Sequence, residues 1–334
     1  MRKRIEFIDI AKGICMILVV LQHIKTYNRS LETGEYIFEA FRMPLFFMLS
    51  GMFFKDGMNL KFMLLKKVKT ILVPFVFFYL TTSVLLPNVL HLIGYEGLRQ
   101  SSKLGWMSLF NCFNEKIYSN GVLWFLLALF WLNILLYLIR AISKRFFPKT
   151  DFIMTAIICI SCGIAGFSLG VSKMFVPLNF DNALTAMPYF FLGFALYNQT
   201  NILKKHYSKV TLVTLSCICG LIVILFSPGI GYNMNLFHRG DFIPLYLCGI
   251  LGSLGVIFIS MIINHSIMLS YYGRNTMVML CLQMPIIQVV NMFTKINRGG
   301  YFSIFISLIV VLIIFLPIFP VFNKYLPWAI GKIK

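Results

Sequence analysis

Ten apolar runs punctuate the chain, at residues 7–27, 37–54, 70–90, 121–139, 152–171, 184–197, 209–228, 242–264, 270–293 and 301–322. A helix needs about 20 mostly apolar residues to cross the hydrocarbon core of a bilayer, and most of these runs reach that length. The pattern predicts an all-α fold, a polytopic transmembrane bundle of about ten helices. The runs at 37–54 and 184–197 are short and are expected to be tilted or partly re-entrant. Pro44, Pro74, Pro188, Pro285 and Pro317 fall inside spans, where neighbouring helices accommodate the kinks they cause. The first run lacks a small-residue cleavage site and is expected to remain as the first span. No segment is polar and long enough to fold alone, so residues 1–334 read as one domain. The longest polar interruption, 91–120, mixes Gly, Ser, Asn and aromatic residues and reads as a lid or cap.

Composition agrees with the pattern. Of 334 residues 59% are hydrophobic and 12% charged, against about 25% charged in soluble domains. The net charge of +19 would suggest nucleic acid for a soluble protein. Here it reads as the basic bias of cytoplasmic loops, so no nucleic-acid partner is expected. With the N-terminus inside, nineteen of the thirty Lys and Arg fall in inner segments and nine in outer ones. That asymmetry, with an even helix count, predicts both termini in the cytoplasm. Most of the eight cysteines lie inside apolar runs, with Cys112 in an outer loop. Cys159-x-x-Cys162 has metal-like spacing but no histidine near it, so packing is the better reading and no metal is expected.

Two of the thirty basic residues belong to neither set: Lys12 and Arg42 lie within spans, as does His23. A charge inside a spanning helix costs roughly 2.5–3.5 kcal/mol on insertion scales and marks a functional site by default. Lys12 and His23 are eleven residues apart, which at about 100° per residue puts them within about 20° of one face and roughly 16 Å apart along the axis. Imidazole is the natural general base near neutral pH, although a helix-end histidine can also simply pack. Lys12 either snorkels to the interface beside Asp9 or holds a phosphate of a ligand from the cytoplasm. Arg42 either pairs with Glu39 or Glu35, or binds phosphate or carboxylate as a fork.

Other polar positions carry weaker signals. Asp181, opening the run at 184–197, is a helix cap, a substrate contact or a group that orients His23. Trp124, after Asn120-Gly121, is an interfacial belt residue or a stacking surface for a sugar. His238, Arg239 and Asp241 form a polar cluster in an outer loop, for which solvent is the safer reading.

Lys12, ten intervening residues and His23 resemble the basic-x10-His signature of integral-membrane acyltransferase family 3, the group that includes many O-acetyltransferases of bacterial envelope sugars. Phe7-Ile8-Asp9-Ile10-Ala11-Lys12-Gly13 is similar to that family's opening, and Arg42-Met43-Pro44-Leu45-Phe46-Phe47-Met48-Leu49-Ser50-Gly51 to its second-helix motif. Gly121–Leu126, Asn179–Leu184 with Phe190-Phe191-Leu192-Gly193, and Tyr272-Gly273-Arg274-Asn275-Thr276 resemble later segments in order. One departure is visible. The late helix of the family often reads close to Tyr-x-x-His, whereas here it is Leu280-Cys281-Leu282-Gln283. Any mechanism with a second histidine is thereby put in doubt, and the expectation concentrates on His23.

The resemblance implies a multi-pass protein of the inner (plasma) membrane that moves an acyl group, usually acetyl from acetyl-CoA, onto a hydroxyl of an envelope or capsular saccharide. Its acceptor would be a saccharide or lipid-linked saccharide, and membrane lipid its surroundings; a homo-oligomer stays open. His23 and Arg42 would be catalytic, the first as base or acyl carrier, the second stabilising an oxyanion or holding substrate. Lys12, Asp9 and Arg274 would hold the acyl-CoA, and Glu35, Trp124 and Asp181 the acceptor. Two other readings stand beside this one: a transporter of glycan or its precursors, and a sensor or assembly subunit without chemistry.

Overall fold

The first two helices run antiparallel and set the frame for the rest. A computed structural model describes residues 5–27, 36–92, 120–174, 176–200, 202–204, 207–227, 240–294 and 301–332. α1 spans Glu6–Tyr27 and α2 spans Tyr36–Gly51. α1 carries Glu6 and Asp9 in its first turn and Lys25 in its last, each sign opposing the helix-dipole charge at its own end. A third, composite helix follows. Its α-helical parts are α3 (Leu60–Lys67), α4 (Val73–Tyr79) and α5 (Leu86–Leu92), joined through wide π turns at Val68–Leu72 and Leu80–Leu85. The hydroxyls of Thr70, Thr81 and Thr82 bond back to carbonyls of the preceding turn there.

The chain continues through a tight turn at Gly121–Leu123 into α6 (Trp124–Phe146), then α7 (Asp151–Val171), α8 (Phe180–Phe194), α9 (Lys209–Phe226), α10 (Phe242–Ile263), α11 (Ile267–Arg274), α12 (Thr276–Thr294) and α13 (Tyr301–Tyr325). Every element among the described residues is helical. Among the described residues seven helical stretches are long and apolar enough to cross a membrane, at 6–25, 60–89, 121–146, 151–171, 209–226, 242–263 and 301–325. The chain is therefore a multi-pass membrane protein, but seven stretches qualify where about ten were expected. The other three runs are helical too and fall short. α2 has 16 residues, about 24 Å at 1.5 Å per residue, and α8 has 15 before a wide π turn at Ala195–Gln199 carries the helix on. The run expected at 270–293 is broken at Asn275, whose φ of −113° and ψ of 23° end α11 before α12 begins.

α2 and α8 lie inside the bundle. Gly51 and Gly193 let them touch backbone to backbone. A Cβ on Gly51 would overlap the Phe190 carbonyl oxygen and sit 2.8 Å from its carbon, and one on Gly193 would do the same to Met48. Around that crossing the core is aromatic: Phe46 and Phe47 lie 4.8 and 4.7 Å from Phe125, and Phe54 lies 5.4 Å from Phe194. The Tyr189 hydroxyl donates to the Leu245 carbonyl, and that of Tyr246 to the carbonyls of Gly163 and Thr185, so α7, α8 and α10 are tied by buried polar bonds as well as by packing.

One end of the bundle is rich in lysine. The turn after α2 meets the end of α6 and the start of α7 there: Arg140 binds Asp56 at 2.9 Å and Asp151 at 3.0 Å, and Lys144 binds Asp56 at 2.8 Å. Arg140 is buried and also donates to Thr155. Burial alone would raise the Asp56 carboxyl, but the hydrogen bonds and charges of Lys144 and Arg140 outweigh it and hold the group below its ordinary 3.8. The start of α1 lies at the same end, because Lys12 meets Phe53 just beyond α2. So does the turn after α13, where Gly331 abuts the Thr70 carbonyl.

Candidate active site

The α1–α2 seam gathers the three intramembrane charges. Reading along it, Lys12 Nζ sits over the Phe53 ring at 4.2 Å, a cation–π contact. The Cys15 thiol donates to the Arg42 carbonyl at 3.1 Å. Gln22 Nε2 donates to Glu39 Oε1, and Glu39 lies 3.9 Å from Arg42 Nη1. Helical side chains lean toward the N-terminus of their own helix. On antiparallel helices His23 and Arg42 therefore lean toward each other, while Lys12 leans away toward the lysine-rich end.

Packing fixes α1 against α11 as closely as α2 against α8. A Cβ on Gly13 would overlap the Leu269 carbonyl oxygen, and one on Gly273 that of Asp9. Glu6 bonds His265 at 2.6 Å at the same crossing. This contact brings Arg274, exposed at the end of α11, beside Asp9. Asp9, Lys12 and Arg274 thus share the lysine-rich end of the bundle, and His23 and Arg42 lie deeper along the seam.

The remaining expected residues are placed less closely together. Trp124 is buried at 7% exposure, its ring 6.0 Å from Phe47 of α2, so it belongs to the core beside the seam and not to a lipid-facing belt. Asp181 is fully buried in the first turn of α8; the cap position is Asn179, in the left-handed conformation. α8 runs in the same direction as α2, since Asn198 beyond its end donates to the carbonyls of Met52 and Phe54 beyond the end of α2. Counting back from that contact at 1.5 Å per residue sets Asp181 about 25 Å away, at the level of the first turns of α2 where Glu39 stands. Glu35, Cys112, His238 and Arg239 lie outside the described residues.

Two polar groupings could not be assembled from the sequence, although Gln283 stands out there in place of a histidine. Asn120, buried, donates to Thr82 Oγ1 at 2.8 Å and to the Cys281 carbonyl at 2.9 Å, joining the second π turn to α12 four residues before Trp124. Gln283, also buried, donates to the Leu280 carbonyl at 3.3 Å. The Oδ1 of Asn120 and the Oε1 of Gln283 are buried without a hydrogen-bond partner among the described residues, so both can receive a hydroxyl hydrogen. The second grouping is the Arg140–Asp56–Asp151 latch. Its partners come from three separated segments, and the scarcity of acids, eleven in the whole chain, is the one signal that singled them out. Cys159 and Cys162 are free thiols. No group of three His, Cys, Asp or Glu among the described residues is placed to hold a metal.

The arrangement suits group transfer along one seam, with cations toward one end and an imidazole beside a guanidinium in the interior. No curated protein and no solved structure matches the chain. The model of the acyltransferase 3 family, an acyltransferase domain, matches residues 5–322 and so takes in the whole seam and nearly all of the bundle; the chain belongs to that family.

Proposed function

We propose that this acyltransferase moves an acetyl group from acetyl-CoA to a hydroxyl of a cell-envelope or capsular saccharide. The observation that carries the proposal is the seam itself. A single pair of antiparallel helices holds Lys12 near the lysine-rich end and, about 16 Å further along the axis, His23, which leans toward Arg42 of the facing helix. Lys12, with Asp9 and Arg274 beside it, would hold the phosphates and adenosine of the donor at what we take to be the cytoplasmic face. The thioester would then extend along the seam.

His23 takes the proton of the acceptor hydroxyl, whose oxygen attacks the thioester carbon. Arg42 faces the oxyanion that develops there, and a preorganised cation in a dry site stabilises such charge strongly. As the carbon–sulfur bond breaks, His23 returns the proton to the departing thiolate. The products are the O-acetyl ester and the free thiol. Trp124, Asp181 and the bare oxygens of Asn120 and Gln283 would orient the acceptor.

The test is the O-acetyl content of envelope saccharides, measured by proton NMR in cells with the wild-type gene, no gene, or His23→Ala at equal protein level. Acetyl signals present only with the wild-type gene, at equal polymer yield, support the proposal. Equal acetylation in all three, with polymer yield falling when the gene is lost, overturns it in favour of transport.

A further inference from the structure

A second basic site lies away from the seam. A cavity of about 490 Å³ is lined by Lys69 and Val73 from the first π turn and α4, and by Lys324, Tyr325, Pro327, Trp328 and Lys332 from the end of α13 and the turn after it. Three lysines converge from three segments, and no acidic side chain lines the cavity. The walls are held in place. Trp328 packs edge-on against Phe77 at 5.1 Å. Lys332 bonds Asn323, which donates to Asn275 at 2.8 Å, and Lys324 sits 5.1 Å from the Tyr325 ring centre.

The cavity opens onto apolar surface. Trp328 and Tyr325 are 52% and 65% exposed, and aromatic residues of this kind settle at headgroup level. From Lys324 an exposed stripe runs back along α13 through Val321, Leu316 and Ile313. A cluster of cations beside exposed interfacial aromatics, continued by an apolar track into the bilayer, matches an amphiphile with an anionic head.

We propose that this cavity binds the phosphate headgroup of an anionic phospholipid, with an acyl chain lying along α13. Basic pockets between helices hold such headgroups, each lysine near the surface contributing about a fivefold preference.

The test uses purified full-length protein. Wild type, Lys69→Ala/Lys324→Ala/Lys332→Ala and a control with Lys61→Ala/Arg145→Ala/Lys149→Ala, which loses the same charge elsewhere at that end, are exposed to phosphatidylglycerol or phosphatidylcholine. Retained lipid is counted by native mass spectrometry. Wild type and control should keep phosphatidylglycerol, and the cavity variant should bind it roughly a hundredfold more weakly. Should the variant fold poorly, wild type alone decides: brominated phosphatidylglycerol should quench tryptophan emission more than brominated phosphatidylcholine, and Trp328→Phe should remove the difference. Equal retention by variant and wild type, equal quenching by both lipids, or displacement of the lipid by coenzyme A at the same cavity would overturn the proposal, the last by assigning the cavity to the acyl donor.

Discussion

Arg140→Ala should weaken the whole bundle although the residue lies far along the sequence from the seam. Its guanidinium makes two bonds to Asp56, at 3.1 and 2.9 Å, one to Thr155 at 3.2 Å and an ion pair to Asp151 at 3.0 Å. Removing one partner of a buried ion pair costs about 3–5 kcal/mol. The two carboxylates here keep 24% and 29% exposure, and Lys144 stays on Asp56 at 2.8 Å, so the expected cost falls to about 2–3 kcal/mol. For a chain of this size that is a drop of roughly 3–4 °C in melting temperature, read by fluorescence-detected size exclusion after heating. Arg140→Lys, able to reach one carboxylate but not both, should lose about half as much. A melting temperature for Arg140→Ala within about 1 °C of wild type would refute the reasoning. The latch also predicts a pH window. Asp56 is depressed in the folded state below its ordinary 3.8, so its contribution is complete above the unfolded value and disappears as pH falls through the folded one. The difference between wild type and Arg140→Ala should therefore be constant at neutral pH and shrink below about pH 4.

Two further substitutions test the interior. Gly193→Ala places a methyl against the Met48 backbone, which cannot rotate away, and overpacking of this kind costs about 1–3 kcal/mol; a melting curve identical to wild type would show that α2 and α8 separate freely. Arg42→Lys keeps the charge but loses the fork, and should lower the turnover number about a hundredfold, the scale of losing one oxyanion donor, in membranes assayed with labelled acetyl-CoA. Undiminished turnover would remove Arg42 from the chemistry.

The positions of the helices were legible because burial in lipid writes itself as composition: all ten apolar runs coincide with helical segments. The face shared by Lys12 and His23 followed from periodicity alone. What periodicity could not carry was pairing between distant segments. Arg140 and Asp56 are 84 residues apart, and each alone reads as a loop charge. Asn120 looked like the polar edge of a loop, yet it bonds Cys281, 161 residues away. The composite helix was expected to begin at 70 and begins at Leu60, because its first two turns carry Lys61, Lys66 and Lys67, which a hydropathy pattern assigns to a loop. The short apolar runs of α2 and α8 show in the hydropathy pattern, but their enclosure by other helices does not.

The antiparallel seam makes α1 a ruler. Under the proposed function Lys12 and His23 would be two marks on one rigid rod, the span between a donor's anchored end and its reacting end set by residue count and not by loop conformation. Substitutions between the marks leave that length alone. Inserting a single residue between them would lengthen it by only about 1.5 Å but turn His23 by about 100°, away from Arg42. The number of residues between them is thus fixed by this architecture, and Gly13 among them by its packing on the Leu269 carbonyl.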